Sequence, residues 1–406
     1  MARLAEAALE CKSSRTAAQD NHDASNVLWN LAVVKKAFSE LEVREVGGSS
    51  HPSNAVCDES ALILKLSRLA VAIMGMSYCI LDHYKVKFSH VLSGYSRHSA
   101  PNVVLACHST LQPLNEVTSM IVKIWGCRGS LPTPGANTLR YGGETTSIEV
   151  RSSSGQCIAI DAGSGIRNMG HALVNDTTVS HISLLVTHSH WDHLLGFPFF
   201  APAYDARFSI ALCGGPKGQR TVWDYLTHQF EAPYFPIDAT ALQATFTHGC
   251  ACNRAFCDHT LPFSDRSIEC HSIPLNHPNG GYGFKFVEDG KTFVFLTDNE
   301  IRFQHAKGPS RDVFVNECRG ADVLFHDAQY TEVEYSGKRG WGHSTYMDAV
   351  DLAMESGVKR LGLFHHDPEH SDEDIDREVD ECRNRIHSAG SDLDCFACAD
   401  GMVVEL

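Results

Sequence analysis

The stretch LLVTHSHWDHLLGFPFF, residues 184–200, sets three histidines and an aspartate within six positions: His188, His190, Asp192 and His193. Apolar runs lie on both sides. The preceding segment ISLLVTH (182–188) reads as a buried strand. His188 and His190 are two apart, so on an extended chain their side chains share a face. Asp192 and His193 then fall on the turn before LLGFPFF. Four ligand-type side chains converge at the carboxyl edge of a strand, where α/β proteins build their sites. Imidazole together with carboxylate suits zinc, iron or manganese. One tetrahedral ion cannot easily take all four from so short a loop, which points to two ions.

The chain has 406 residues, 43% of them hydrophobic, enough for one large domain with additions or for two or three domains. Lys and Arg number 34 against 49 Asp and Glu, a formal charge of −15. That balance argues against gripping long nucleic acid, which wants a basic face. The 15 cysteines are irregularly spaced in a long chain and read as reduced, buried thiols of a cytoplasmic protein. MARLAEAALECKSS at the start has no apolar leader core. The longest apolar run, LAVAIMGMSYCIL (69–81), has 13 residues where a membrane span needs about 20. No membrane association is expected.

Residues 1–119 show no sustained strand alternation. One capped helix is expected near 58–81, starting at Asp58 or Ser60, within a poorly ordered extension; a small helical domain is the alternative. From Met120 onward the pattern changes. Strand-like runs recur at 121–127, 145–150, 157–161, 182–188, 208–214, 267–275, 283–288, 291–298, 322–328 and 360–366. Asp289-Gly290 is a strong hairpin signal. Helical patterns fall at 216–230, 311–319, 345–356 and 371–388, and CFACADGMVVEL (395–406) reads as a closing strand. Interleaved strands and helices suit an α/β fold for residues 120–406: two sheets face to face with helices outside, an α/β/β/α sandwich.

At THSHWDH the chain resembles the metallo-β-lactamase-fold hydrolases, and the resemblance extends over residues 121–406. It implies a later histidine after a strand, supplied by His277 in IPLNHPNGGYG, and a bridging aspartate at a strand end, supplied by Asp298 in FVFLTD. It also implies a last histidine in LGLFHHDPEH. Aligned on the L-x-L-T-H pattern of the ribonuclease Z-like branch, this is His365, with His366 left open. The implied first ion is held by His188, His190 and His277, the second by Asp192, His193 and His365, with Asp298 between them. Two divalent ions are expected, zinc or else manganese.

Within that branch, GWGHST (340–345) resembles a motif whose histidine faces the substrate phosphate, so His343 is expected to protonate the leaving oxygen. The same residues read equally as a helix cap, Ser344 or Thr345 preceding YMDAVDLAMES, and both can hold. IDAGSG implies that Asp161 orients a ligand histidine. IWGCRGSLPTPGANTLRYGGETTSIEV (124–150), with HWDH, GFPFFAPAY, APYFP and HDAQYT, resembles a bacterial subgroup similar to cyclic-nucleotide phosphodiesterases. The chain reads GGET where most such relatives read GGNT, which leaves Glu144 without a clear role. Trp191 stands where transfer-RNA-processing members have glycine; it is expected to pack the loop, with base stacking as the alternative. The Gly/Pro-rich arm of those members is not evident.

The expected function is a dinuclear metal-dependent phosphodiesterase acting on a small phosphodiester such as a cyclic nucleotide. Asp192 would orient the attacking water or take its proton. Lactone or thioester hydrolysis and ribonuclease Z-like RNA processing are the alternatives, and a homodimer is compatible with the sequence. HGCACNRAFCDH (248–259) is read as an insertion loop rather than a structural zinc site, and CFAC (395–398) as apolar strand rather than a redox pair.

Overall fold

Two sheets, of seven and six strands, organise the chain in a computed structural model describing residues 119–214, 221–248 and 268–406. The expected extension and its helix near 58–81, and most of HGCACNRAFCDH, lie outside the described residues. The first sheet begins with β1 (Ile121–Gly126), β2 (Ser147–Arg151) and β3 (Cys157–Ile160), an antiparallel meander. It continues in parallel through β4 (His181–Val186), β5 (Ser209–Gly214) and β6 (Thr245–His248). Between β3 and β4 lies helix α1 (Ile166–Asn175); between β5 and β6, α2 (Val222–His228).

The second sheet starts as a meander of β7 (Glu269–Pro274), β8 (Tyr282–Glu288) and β9 (Lys291–Leu296), turned at Asp289-Gly290 as expected. Helix α3 (Arg311–Glu317) leads to β10 (Val323–Asp327), which pairs with β9 in parallel. Then come α4 (Glu332–Lys338), α5 (Tyr346–Ser356), β11 (Arg360–Phe364), α6 (Asp372–Ser388) and β12 (Asp394–Ala397). Strands β10, β11 and β12 are parallel neighbours.

Three apolar clusters define the layers. Val122, Ile148, Ile158 and Leu185 of the first sheet meet Phe284, Phe293, Phe325 and Phe364 of the second, filling the space between them. The outer face of the first sheet packs on α1 through Ile166, Met169 and Leu173. Helices α3, α5 and α6 cover the outer face of the second through residues such as Phe314, Leu352 and Ile375. The expected α/β/β/α sandwich is the observed architecture.

Four local readings change. Helices α1 and α4 and strand β6 carry no strong sequence pattern. Apolar positions of α1 are separated by Asn, Gly and His, α4 spans barely two turns, and β6 is a four-residue edge strand. The closing segment is not one strand. A turn at Ala399–Gly401 carries the chain from β12 in the second sheet to β13 (Val403–Glu405), which pairs with β1 in the first. Leu406 N–H donates to Met120 O at 3.0 Å, closing that edge. No helix among the described residues is long and apolar enough to cross a membrane.

Candidate metal centre

The parallel strands of both sheets end at one place. Asp161 follows β3, His188 follows β4, Asp298 follows β9, Asp327 ends β10 and His365 follows β11. His277 follows β7, and His190, Asp192 and His193 come from the turn after β4. Three of these, Asp161, Asp298 and His365, have left-handed backbone, with φ of 61°, 51° and 64°. Non-glycine residues seldom adopt it, and such strain collects at functional sites.

The seven residues expected to hold metal lie together. Ligand-type atoms of His188, His190, His277 and Asp298 form one group, and those of Asp192, His193, Asp298 and His365 another, each within 4.8 Å. Asp298 belongs to both through different oxygens. Its Oδ2 lies 3.6 Å from His188 Nε2 and 3.8 Å from His277 Nε2. Its Oδ1 lies 3.2 Å from His193 Nε2 and 3.3 Å from His365 Nε2. Asp192 Oδ2 is 3.2 Å and 3.3 Å from the same two ring nitrogens. His366 is elsewhere: its Nε2 donates to Cys398 O at 3.0 Å.

Several observations fit a pair of cations. The Nε2 atoms of His188 and His193 are buried without a hydrogen-bond partner, and buried polar atoms are rarely orphaned. His277 Nε2 faces His190 Nδ1 at 3.0 Å, so two ring nitrogens converge. Burial pushes His277 down to about 3 and His188 well below its ordinary value, against the pull of Asp298. Both imidazoles are therefore neutral at pH 7, the form that binds metal. His193 behaves oppositely: burial opposes its charged form, but Asp192, Asp298 and Asp161 outweigh burial and raise it. A proton there would stand where a cation could.

The outer nitrogens of four histidines are engaged, as metal-binding histidines require. His193 Nδ1–H donates to Asp161 Oδ2 at 2.8 Å, and Thr187 N–H and O–H hold the same carboxylate at 2.7 and 2.8 Å. His277 Nδ1–H donates to Gly342 O at 2.9 Å. His365 Nδ1–H donates to Gln329 Oε1 at 3.1 Å, and His188 Nδ1 is 3.1 Å from Thr187 Oγ1. Asp192 Oδ2 accepts from Ser130 N–H at 2.9 Å.

His343 lies against this cluster, its ring stacked on that of His365 with centroids 4.9 Å apart. Its Nδ1–H donates to Asp327 Oδ2 at 2.7 Å. Burial would lower its pKa, but the carboxylates of Asp327, Asp298 and Asp192 push it up to about 9. The next residues cap α5: Thr345 Oγ1 accepts from Asp348 N–H at 3.1 Å, and the Asp348 carboxylate accepts from Thr345 N–H at 3.2 Å.

Trp191 does not pack the loop as expected; it is 62% exposed beside His190. Trp341, two residues before His343, is 63% exposed. Glu144 contributes backbone atoms: its N–H donates to Asp400 Oδ2 and its carbonyl accepts from Arg128 N–H. Cys395 and Cys398 are buried thiols of β12 and the following turn. Sequence reasoning missed Gln329, Glu300 and the pairing of Asp327 with His343. HDAQYT held Asp327 and Gln329, but only the fold shows which histidines they face.

Residues 157–366, more than half the chain, match the family described as Beta-lactamase superfamily domain. A ribonuclease Z of Porphyromonas gingivalis is 23% identical over 296 residues, covering 62% of this chain and 90% of that protein. A ribonuclease Z of Ignicoccus hospitalis is 28% identical over 228 residues, covering 49% and 74%. Among solved structures, a diphosphatase of the PhnP family has a TM-score of 0.48 at 18% identity, covering 71% of this chain and 98% of its own. The short form of human tRNase Z has a TM-score of 0.47 at 19% identity, covering 70% and 98%. The metallo-β-lactamase fold implies a dinuclear divalent metal site. With the sandwich, the converging donors and the matched family, this chain belongs to the beta-lactamase superfamily and is a metal-dependent hydrolase.

Proposed function

We propose that this hydrolase cleaves small phosphodiesters, a cyclic nucleotide being the substrate class that best fits. The observation that carries the reading is His343, buried beside His365 and held at Nδ1 by Asp327. With Nδ1 so engaged, its Nε2 is left to give a proton to a leaving alkoxide. His188, His190 and His277 would hold one divalent ion, Asp192, His193 and His365 the other, with Asp298 shared. Nitrogen and oxygen donors suit zinc, or manganese. Bound there, the cations supply Lewis acidity and acidify water at neutral pH. Asp192, steadied by Ser130 N–H, orients the attacking water or accepts its proton.

The similarity to proteins named ribonuclease Z favours phosphorus–oxygen bonds over lactones or thioesters. The charge of −15 favours a small substrate over transfer RNA. Two exposed indoles, Trp191 and Trp341, are available for stacking on a base. The test is hydrolysis by the metal-replete protein of bis(p-nitrophenyl) phosphate, 3′,5′-cyclic nucleotides, short RNA and lactones. His343→Ala is expected to keep its metal and slow cyclic-nucleotide cleavage by roughly 10²–10⁴, the usual weight of a general acid. Its effect on p-nitrophenyl esters should be much smaller, because that leaving group needs little protonation. Strong lactone turnover without phosphodiester cleavage would contradict the proposal.

A further inference from the structure

Glu300 is fully buried two residues beyond Asp298, yet it belongs to none of the clusters of ligand-type atoms. Its two oxygens gather four donors. Oε1 takes Tyr335 O–H at 2.8 Å and Gly340 N–H at 2.7 Å; Oε2 takes Gly342 N–H at 2.8 Å and His305 Nε2–H at 2.9 Å. Two of the four come from the loop that carries His343. Gly342 also gives its carbonyl to His277 Nδ1 at 2.9 Å. Gly342 has φ of 103°, and a Cβ there would lie 2.0 Å from His277 Nδ1. The loop is therefore drawn close against the cluster, in a conformation that its glycines permit but, with their backbone freedom, do not themselves fix. Something must hold it there, and the only side-chain acceptor of the Gly340 and Gly342 amides among the described residues is Glu300.

The rest of the strap after β9 reinforces this. Asn276, next to His277, donates through its side-chain amide to the carbonyls of Glu300 and Phe303 and accepts from His305 N–H. Ser344, next to His343, donates to Asn299 O and accepts from Ile301 N–H. Residues 298–305 thus bind both neighbouring loops, and the Glu300 carboxylate is the hub. Only a carboxylate presents two acceptor oxygens to four donors; an amide of the same shape would turn an N–H₂ toward two of them.

We propose that Glu300 is a positioning residue that clamps the Gly340–His343 loop, setting His343 for proton delivery. The proposal rests on the reading of His343 as the proton donor. If Glu300 works through His343, its loss must carry the same signature as the loss of His343. Glu300→Gln, at saturating metal, is expected to lower kcat for a 3′,5′-cyclic nucleotide on the order of 10- to 100-fold, the usual cost of an outer hydrogen-bond partner. Cleavage of bis(p-nitrophenyl) phosphate should change by less than about threefold, since proton delivery contributes little there. In the His343→Ala background the substitution should add nothing. Glu300→Asp, which keeps both oxygens, should recover part of the loss. Equal falls on both substrates, or additivity with His343→Ala, would mean that Glu300 only supports the fold and would overturn the proposal. If His343→Ala itself shows no leaving-group dependence, the functional reading fails and this inference with it. Should Glu300→Gln not fold, amide exchange in the wild-type full chain decides. The Gly340 and Gly342 amides are expected to exchange far more slowly than exposed loop amides, and fast exchange at both would overturn the clamp.

Discussion

Single residues set the site by close approach as much as by ligand chemistry. The carbonyl, amide and ring groups of the centre are packed so that several positions admit no side chain. Gly129 is the plainest case: a Cβ there would lie 2.4 Å from His365 Nδ1, below any ordinary contact. Gly129→Ala should displace the His365 ring from Gln329 and from Asp192. The expected result is a folded protein in which one of two metal-binding events weakens by roughly 10- to 100-fold, as when an outer partner of a ligand is lost. Metal titration by calorimetry checks this; two events of wild-type affinity would show that the ring accommodates the methyl. At this scale much was legible in the sequence. His188, His190, Asp192 and His193 are dense enough to announce themselves, and the order of His277, Asp298 and His365 matched the resemblance. Gln329 and Glu300 were not legible. Their partners lie on distant loops, 36 residues away for His365 and 40 for Gly340, and no local pattern records that pairing.

Secondary elements meet at the site through their ends, and buried charge ties those ends together. His370, in the loop between β11 and α6, links two helices. Its Nε2–H donates to Glu334 of α4 at 3.0 Å, and its Nδ1 lies 2.8 Å from Glu378 of α6. Burial alone would lower its pKa, but Glu378 and Glu334 push it up to about 9. A pKa raised on folding means that the folded state binds the proton more tightly. The stabilisation is therefore fully present below the unfolded value near 6.5, fades between there and about 9, and is gone above it. It amounts to at most about 3 kcal/mol. Denaturation of wild type and His370→Gln from pH 6 to pH 10 should show a stability gap that closes as pH rises through that window; a gap independent of pH would contradict the pairing. Helix α5 offers a simpler check. Thr345→Ala removes a capping box and should cost about 1 kcal/mol, measured by urea denaturation, with metal content unchanged. The strands of the second sheet were readable from their apolar runs, as was α6 from its helical pattern at 371–388. Helices α1 and α4 were not, because α1 is diluted by polar residues and α4 is short, so packing rather than propensity fixes them.

The described residues form a sandwich whose two sheets each deliver strand ends to one edge, so the centre exists only when both sheets are assembled. The fold class was legible because interleaved strand and helix patterns leave few layer arrangements. The crossing of the last strand into the first sheet was not, since CFACADGMVVEL is apolar on both sides of its turn. That crossing matters for the boundary of the domain. With β13 beside β1 and Leu406 bonded to Met120, the sandwich closes on itself at Met120. We propose that residues from Met120 onward suffice. A protein beginning there should fold and retain full metal content and activity, while loss of either would place residues 1–119 in the working structure. We propose that Asp298 joins two triads, His188, His190 and His277 with Asp192, His193 and His365, into one dinuclear centre. Elemental analysis of the metal-saturated full chain, beside Asp298→Ala, tests it most directly. Two divalent ions per chain are expected in the wild type and less than one in the variant. A maximum of one ion per wild-type chain, or an Asp298→Ala protein that still holds two, would contradict it.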